Sequence, residues 1–358
     1  MTRQVRVGKV VIGGGAPVSV QTMSNVDPHN EASLVKQARS CEELGCDLIR
    51  FTVPDVRAAE VLGRVRRQIG IPVVADIHFD YKCALASIAN GVDALRLNPG
   101  NIGGQSKVRE VARAAKAAGV PIRIGVNLGS LEGDLRGKLD SHVEVERGRS
   151  ELIAECLCES AMRHVRMLEA EDFRDIVISV KASNVESTLA SYRMLHEKCD
   201  YPLHLGVTEA GTFLPGTVRS SVALGILLSE GIGDTIRVSL TDDPTKEVRV
   251  GMEILRSLGM RPMGPCVTSC PTCGRTKADV FRVAAEVETA LEKLHLPKYP
   301  HVAVMGCVVN GPGEAKGAEV ALCGGNGEFM LYVKGNQVGK VSEAEATQKV
   351  IDYVLHSK

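Results

Sequence analysis

The sequence predicts an α/β protein, with an N-terminal (β/α)8 TIM-type barrel over residues 1–260 and a small α+β domain over residues 261–358. Short apolar runs of β type alternate with amphipathic helical stretches along the first 260 residues, and such alternation implies a parallel sheet flanked by helices. The β-type runs number eight, the count that closes this kind of sheet into a barrel. The alternation then stops at a Gly/Pro-rich hinge over 259–265, and the elements beyond it follow a different order. A doubly wound open sheet is the alternative. No G-x-G-x-x-G follows a strand, however, and Gly13-Gly14-Gly15 precedes the first one and reads as a turn.

Strands are expected at 18–22, 48–53, 73–77, 94–98, 122–127, 176–181, 203–208 and 235–240. Between them, 32–44, 57–68, 107–118, 151–168, 185–198 and 217–230 place apolar residues at helical spacing. Gly45, Gly91, Gly119 and Gly231 stand at helix exits, where a left-handed cap favours glycine. Past the hinge come a cysteine-bearing turn, a helix over 277–295, strands around 302–305, 319–322 and 329–334, and a last helix over 342–356.

Composition narrows the function classes. Hydrophobic residues at 44% and charged residues at 24% are ordinary for a globular protein. Zero net charge, 3% aromatic residues and no Trp argue against a nucleic-acid binder, which needs basic excess and stacking rings. No apolar run reaches bilayer-spanning length. Met1-Thr2-Arg3-Gln4-Val5 lacks an apolar signal core, so a cytoplasmic location with no membrane partner is expected. Eleven cysteines in such a chain are not a disulfide framework. Cys41, Cys46, Cys83, Cys156, Cys158 and Cys199 have apolar neighbours in helix-like stretches and read as small core residues.

Cys270-Pro271-Thr272-Cys273-Gly274-Arg275 is different. Two thiols two residues apart in a turn can grip one metal centre from the same side. A third, Cys307, follows the apolar run 301–305, and Glu314 closes the Gly/Pro turn after it. Three thiolates are one short of a closed tetrahedral site. They suit a cubane iron–sulfur cluster, with Glu314 as exchangeable ligand to the fourth iron. Two other readings share the spacing. Cys323 or His301 could complete a structural zinc site, and Cys266-x3-Cys270-x2-Cys273 matches the pattern of radical S-adenosylmethionine enzymes, in which it comes early in the barrel.

The barrel strands repeat one phrase: Ile49-Arg50-Phe51-Thr52, Leu95-Arg96-Leu97-Asn98, Ile122-Arg123-Ile124-Gly125 and Ile236-Arg237-Val238-Ser239, with Lys181 and Ser183 as a variant. Residues two apart in a strand share a face. With the apolar neighbours turned to the helices, the cations point inward near the strand ends, the catalytic face of such barrels. Guanidinium groups gathered there require anions. A structural Arg–carboxylate layer with Asp76, His78 and Glu209 is one reading. The other is a diphosphate pocket, because Arg forks bind phosphate oxygens bidentately. The Gly-rich turn Asn98-Pro99-Gly100-Asn101-Ile102-Gly103-Gly104 offers amides to the same anion. Asp76, His78, Asn127, His204 and Glu209 supply the remaining strand-end polar groups.

These residues carry a resemblance. Ala75-Asp76-Ile77-His78-Phe79-Asp80-Tyr81, Leu97-Asn98-Pro99-Gly100-Asn101-Ile102-Gly103, Pro202-Leu203-His204-Leu205-Gly206-Val207-Thr208-Glu209-Ala210 and the two cysteine turns resemble the 4-hydroxy-3-methylbut-2-enyl diphosphate synthases. The likeness is to their bacterial two-domain form, in the methylerythritol phosphate route to isoprenoids, and covers nearly the whole chain. One departure is Val26-Asp27-Pro28-His29-Asn30, where the family has a Thr-rich turn. The resemblance implies a [4Fe–4S] cluster on Cys270, Cys273 and Cys307 with Glu314 on the fourth iron. It implies 2-C-methyl-D-erythritol 2,4-cyclodiphosphate as substrate, met by Arg50, Asp76, His78, Arg96, Asn98, Arg123, Asn127, Lys181, Ser183, His204, Arg237 and Ser239, with Glu209 as proton donor. It further implies flavodoxin or ferredoxin as electron donor and a homodimer with a cross-subunit active site. Two other classes stay open: a pterin-type barrel enzyme with structural zinc, and an iron–sulfur carrier or sensor, which has no use for an Arg-lined barrel.

Overall fold

The computed structural model describes residues 1–141, 148–262, 264, 266–294, 296, 299–307, 309 and 311–356, without the side chains of Cys266 and Glu314. The chain divides into two compact units, Met1–Arg261 and Pro262–Lys358.

The first unit opens with an antiparallel hairpin, β1 (Val5–Val7) and β2 (Val10–Ile12), which the sequence did not predict, followed by the expected turn at Gly13-Gly14-Gly15. Three-residue strands are too short for alternation to register as a pattern. Among the described residues, eight parallel strands follow: β3 (Ser19–Met23), β4 (Leu48–Thr52), β5 (Val73–Asp76), β6 (Ala94–Arg96), β7 (Ile122–Asn127), β8 (Ile176–Lys181), β9 (His204–Leu205) and β10 (Thr235–Ile236). They pair in the order β8-β7-β6-β5-β4-β3-β10-β9. A parallel bridge from Ile178 to Leu203 joins the two ends and closes the barrel. The last two strands are shorter than the runs 203–208 and 235–240. Pairing nonetheless persists beyond them, with Arg237 N–H donating to Leu205 O at 3.0 Å and Thr208 N–H to Ala182 O at 3.0 Å.

Helices α1 (Glu31–Glu43), α2 (Val56–Arg66), α3 (Tyr81–Ala89), α4 (Gln105–Ala118), α5 (Gly133–Asp140), α6 (Arg149–Glu169), α7 (Val185–Lys198), α8 (Phe213–Ser229) and α9 (Pro244–Ser257) return the chain between strands. Several start where an acceptor side chain caps a free N–H: Asn30 takes Ser33 N–H, Asp55 takes Ala58 N–H and Asn184 takes Ser187 N–H. Their inner stripes, including Leu34, Leu62, Val111, Leu157, Val165 and Leu224, bury the outward strand residues Ile49, Phe51, Leu95, Ile122, Ile178 and Leu205 in one core. At the opposite end from the strand exits, Val7 and Ile12 of the hairpin pack on Leu48, Val74 and Ala94 and plug the barrel. Cys41, Cys46, Cys83, Cys156 and Cys158 are buried and Cys199 is half-buried. Cys46 lies in the turn after α1 rather than in a helix.

The second unit is a five-stranded sheet in sequential order: β11 (Cys266–Ser269), β12 (His301–Met305), β13 (Val320–Gly324), β14 (Glu328–Val333) and β15 (Asn336–Ser342). The first three strands are parallel and the last three antiparallel. Helices α10 (Val280–Glu292) and α12 (Ala346–His356) cover it through Val283, Val287, Leu291, Val350 and Ile351, while α11 (Gly311–Glu314) is a single turn. The sequence did not predict β11 or β15. The first is a four-residue strand beside Gly/Pro-rich chain, and the second is an edge strand exposed along most of its length, with no apolar alternation to mark it. Among the described residues no helix is long and apolar enough to cross a membrane.

Phe51 is 1% exposed between sheet and helices. Phe51→Ala is expected to cost about 3–5 kcal/mol, read as a lower denaturant midpoint. An unchanged midpoint would show that this core does not hold the barrel.

Candidate active site

The pleat sets what the barrel contains. Ile49 and Phe51 face the helices, so Arg50 between them faces inward, and Arg96, Arg123, Lys181 and Arg237 follow the same rule on their strands. The register puts Asp76 beside Arg96, Arg96 beside Arg123, and Asn127 beside Lys181. The five cations join Gly125, Val126, Asn127, Ser179, Thr208 and Ser239 around a polar cavity of about 80 Å³ at the strand exits.

Two carboxylates face this ring among the described residues. Asp76 lies 3.2 Å from Arg96 Nη1, 3.6 Å from Arg50 Nε and 3.7 Å from His78 Nε2. Burial alone would push its carboxyl up, but Arg50, Arg96, His78 and Arg123 together hold it below the usual range. Glu247, from the first turns of α9, accepts from Arg237 Nη2 at 3.1 Å, from Leu240 N–H at 2.9 Å and from Thr22 Oγ1 at 2.7 Å. The Met23 sulfur takes further donors, from Arg50 Nη2 at 2.7 Å and Arg237 Nη1 at 3.6 Å. Arg123 and Lys181 have no ion pair among the described residues, which leaves the ring with three positive charges in excess. Burial pulls Arg50 down to about 10, opposed by Asp76. Burial and neighbouring cations pull Arg123 and Lys181 well below their ordinary values. Two glycines make the ring possible. A Cβ on Gly125 would lie 2.5 Å from Arg96 Nε, and one on Gly206 would lie 2.6 Å from Lys181 Nζ.

The other residues singled out in the sequence divide. Ser239 and Asn127 line the cavity, and Asn127 also caps the turn after β7 by accepting Ser130 N–H at 3.0 Å. His78 is half exposed beside Asp76. Glu209 is exposed on the loop after β9, with φ of 52°, a left-handed conformation that is strained for a residue with a side chain and is characteristic of functional loops. Ser183 is exposed on the loop after β8, outside the cavity lining. Asn98 is buried, with its Oδ1 accepting Gly125 N–H at 2.9 Å, and serves the sheet. In the turn after it, Gly100 N–H is already taken by His164 Nδ1 at 3.1 Å and Asn101 N–H by Asn98 O at 2.9 Å, so neither is offered to an anion. His204 is a correction: it begins its strand instead of ending it, and lies buried on the hairpin side of the ring. Glu247, Met23 and Thr208 were missed. Glu247 had a signal, since it sits on the stripe Pro244, Glu247, Val248, Gly251, Ile254 and Leu255 that α9 buries.

In the second unit, Cys270 and Cys307 follow the ends of the adjacent parallel strands β11 and β12, so the register brings them to the same edge. Cys270 N–H donates to Val304 O at 3.1 Å, and Gly306 N–H donates to Cys270 Sγ at 3.1 Å. Cys273 is exposed in the turn between, where its own N–H donates to Thr276 Oγ1 at 3.1 Å. The Arg275 N–H and guanidinium hold its thiol below the ordinary value, with Cys307 close enough to oppose them. Cys323 on β13 is fully buried among Met305, Ala303 and Ala321, and burial with nearby Cys307 pushes its thiol up to about 11. His301 opens β12 and Cys307 follows its end, so roughly 13 Å of strand or more separates them. His301 therefore does not reach a zinc site with the turn, whereas Cys323, opposite Met305 in the register, lies at the same end of the sheet as Cys307. Cys266 likewise opens β11 while Cys270 follows it, about 13 Å of extended chain away, too far for the radical-enzyme motif. Glu314 ends α11, and its side chain lies outside the described residues.

Because folding holds the Asp76 carboxyl below its unfolded value, its stabilisation is present above about pH 3.9 and is lost as pH falls through the folded value. Asp76→Asn is expected to unfold about 3 kcal/mol more easily at pH 7, the cost of breaking a buried pair. The gap should narrow below about pH 4. A gap equal at every pH, in denaturant titrations, would remove Asp76 as the counter-charge.

Residues 2–252 match the family model of the GcpE TIM-barrel domain, and residues 266–356 match that of the GcpE protein C-terminal domain. The 4-hydroxy-3-methylbut-2-en-1-yl diphosphate synthase (flavodoxin) of Symbiobacterium thermophilum is 51% identical over 353 residues, 99% of this chain and 92% of its own. The enzyme of the same name from Geobacter sulfurreducens is 52% identical over 352 residues, 98% of this chain and 96% of its own. Among solved structures, Yersinia pestis dihydropteroate synthase superposes on 72% of this chain and 98% of its own, with a TM-score of 0.49 and 14% identity. Matched by both family models and by near-full-length relatives, the chain belongs to the GcpE family of enzymes, the 4-hydroxy-3-methylbut-2-en-1-yl diphosphate synthases.

Proposed function

We propose that this chain reductively opens 2-C-methyl-D-erythritol 2,4-cyclodiphosphate to 4-hydroxy-3-methylbut-2-enyl diphosphate, as part of cytoplasmic isoprenoid synthesis. The observation that carries the reading is the uncompensated cationic ring at the strand exits. A cyclic diphosphate supplies the missing negative charge, and the ring's forked guanidinium groups suit its oxygens. Arg50, Arg96, Arg123, Lys181 and Arg237 would hold the two phosphates, with Asn127, Ser239 and Thr208 as hydrogen-bonding neighbours. Asp76 and Glu247 would act through the arginines they orient. Counted on the neutral acids, the reaction takes two electrons and two protons. A ring carbon–oxygen bond breaks, and a hydroxyl leaves as water. Glu209, on its strained loop, would give the departing oxygen its proton.

The thiol turn fits an iron–sulfur cluster. The register brings Cys270 and Cys307 to one strand edge with Cys273 in the turn between them, an amide N–H points at the Cys270 sulfur, and Arg275 favours the thiolate at Cys273, the form that ligates iron. Cys270, Cys273 and Cys307 would hold a [4Fe–4S] group, with Glu314 on the fourth iron. When bound, it supplies electrons singly and a Lewis-acidic iron. The flavodoxin-dependent relatives favour flavodoxin over ferredoxin as the electron source. The two-subunit arrangement belongs to the same proposal: a barrel-dead subunit mixed with a thiol-dead one should recover activity, and no recovery would make the site intramolecular.

Anaerobically purified protein should carry about four irons and four sulfides per chain, lost in Cys273→Ser. One zinc and no sulfide would overturn the redox reading. Arg123→Met should keep the iron while kcat/KM for the cyclodiphosphate falls about 10- to 100-fold, the cost of one charged hydrogen bond. Undiminished turnover would sink the diphosphate pocket and favour a carrier role.

A further inference from the structure

Below the cationic ring lies a second, smaller cavity of about 20 Å³, floored by the hairpin through Val7 and Ile12. Arg123 is the one described residue that lines both cavities. Three buried polar atoms on side chains lining the lower one have no hydrogen-bond partner in the protein: Arg123 Nη2, Gln21 Oε1 and His204 Nε2. His204 Nδ1 is 3.4 Å from Thr235 Oγ1, the residue beside it in the register. Leaving three such groups unsatisfied in the interior would be costly, and buried polar atoms are almost always bonded to protein or to ordered water.

We infer that an ordered water molecule at the barrel floor accepts from Arg123 Nη2 and donates to Gln21 Oε1 and His204 Nε2, so that His204 and Gln21 are positioning residues for Arg123. The donor count selects water over an anion. With the imidazole proton on Nδ1 toward Thr235, the floor presents one donor and two acceptors, the complement of a water and hostile to a halide. The volume also selects it, since a cavity needs about 10–15 Å³ for one water. Held from below by this water, the Arg123 guanidinium keeps its remaining N–H groups aimed at the cavity above. The inference rests on the proposed diphosphate reading only for what Arg123 then grips. The water itself does not depend on it.

Two measurements test it. A crystal structure of the unsubstituted protein at about 1.5 Å, a resolution at which ordered waters are routinely placed but hydrogens are not, should show one solvent peak within hydrogen-bond distance of all three atoms. A dry floor, or a peak that gains anomalous signal in bromide, overturns the assignment. Separately, His204→Leu should weaken binding of inorganic diphosphate about tenfold by calorimetry, as expected for a hydrogen bond to a charged group. In the turnover assay it should raise KM while kcat stays within about twofold, the pattern of lost uniform binding. His204→Gln, which returns a polar atom to the floor, should recover most of the affinity. If both variants bind inorganic diphosphate like the parent, His204 does not position Arg123. If His204→Leu alone binds it weakly while the parent fails to turn over the cyclodiphosphate, the substrate reading falls and the positioning role stands, whereas weak binding by both variants makes His204 merely structural.

Discussion

Most of what is distinctive here follows from one constraint: five cations are turned into a closed barrel with two carboxylates to meet them. Withdrawing an ion from water costs several kcal/mol even after the protein relaxes, so the ring dictates its surroundings. Asp76 is buried because Arg50 and Arg96 share it. Helix α9 presents a glutamate to the interior because Arg237 would otherwise lack a counter-ion. Gly125 and Gly206 carry no side chain because cationic groups occupy the space. The apolar layer between strands and helices, with Phe51, Ile178 and Leu205 fully buried, holds the fold while the inner layer stays electrostatically incomplete.

Packing and charge are thus divided between the outward face of each strand and its inward face at the strand exits. The outward residues depend on packing and would accept volume-conserving replacements. The inward ones near the strand exits depend on charge, while Leu48, Val74 and Ala94 below them pack on the hairpin, and arginine and lysine are not interchangeable in the charged ring. Lys181, whose ammonium is a compact point charge, sits beside Gly206, which leaves room for it, while the planar forks of Arg96 and Arg237 direct N–H groups at the Gly125 carbonyl and the Glu247 carboxylate.

The repeated Arg phrase was legible because the pleat turns alternate residues to opposite faces, and eight β/α repeats leave a barrel as the simplest closure. Height within the barrel was not legible. It depends on the stagger between strands, which no local pattern encodes, and so His204 was read at the mouth when it belongs near the floor. Glu247 was hidden for another reason. Its neighbours Lys246 and Arg249 make that stretch look like a solvated face, and only the full turn-by-turn stripe of α9 shows the glutamate among apolar residues. In the second unit the cysteine turn stood out by composition. The strand that delivers it, β11, did not, because four residues beside a Gly/Pro-rich hinge carry almost no periodicity.

That strand has a consequence in time as well as in space. Cys270 and Gly306, joined by an N–H···S bond, are 36 residues apart, and the chain between them includes all of α10 and β12. Parallel pairing across a crossover closes a long loop and is slow relative to helix formation. The three thiols therefore do not exist as a set in the nascent chain. On the proposed reading, the group these thiols hold would be delivered after β11 and β12 have paired, and its loading would follow the folding of this sheet rather than nucleate it.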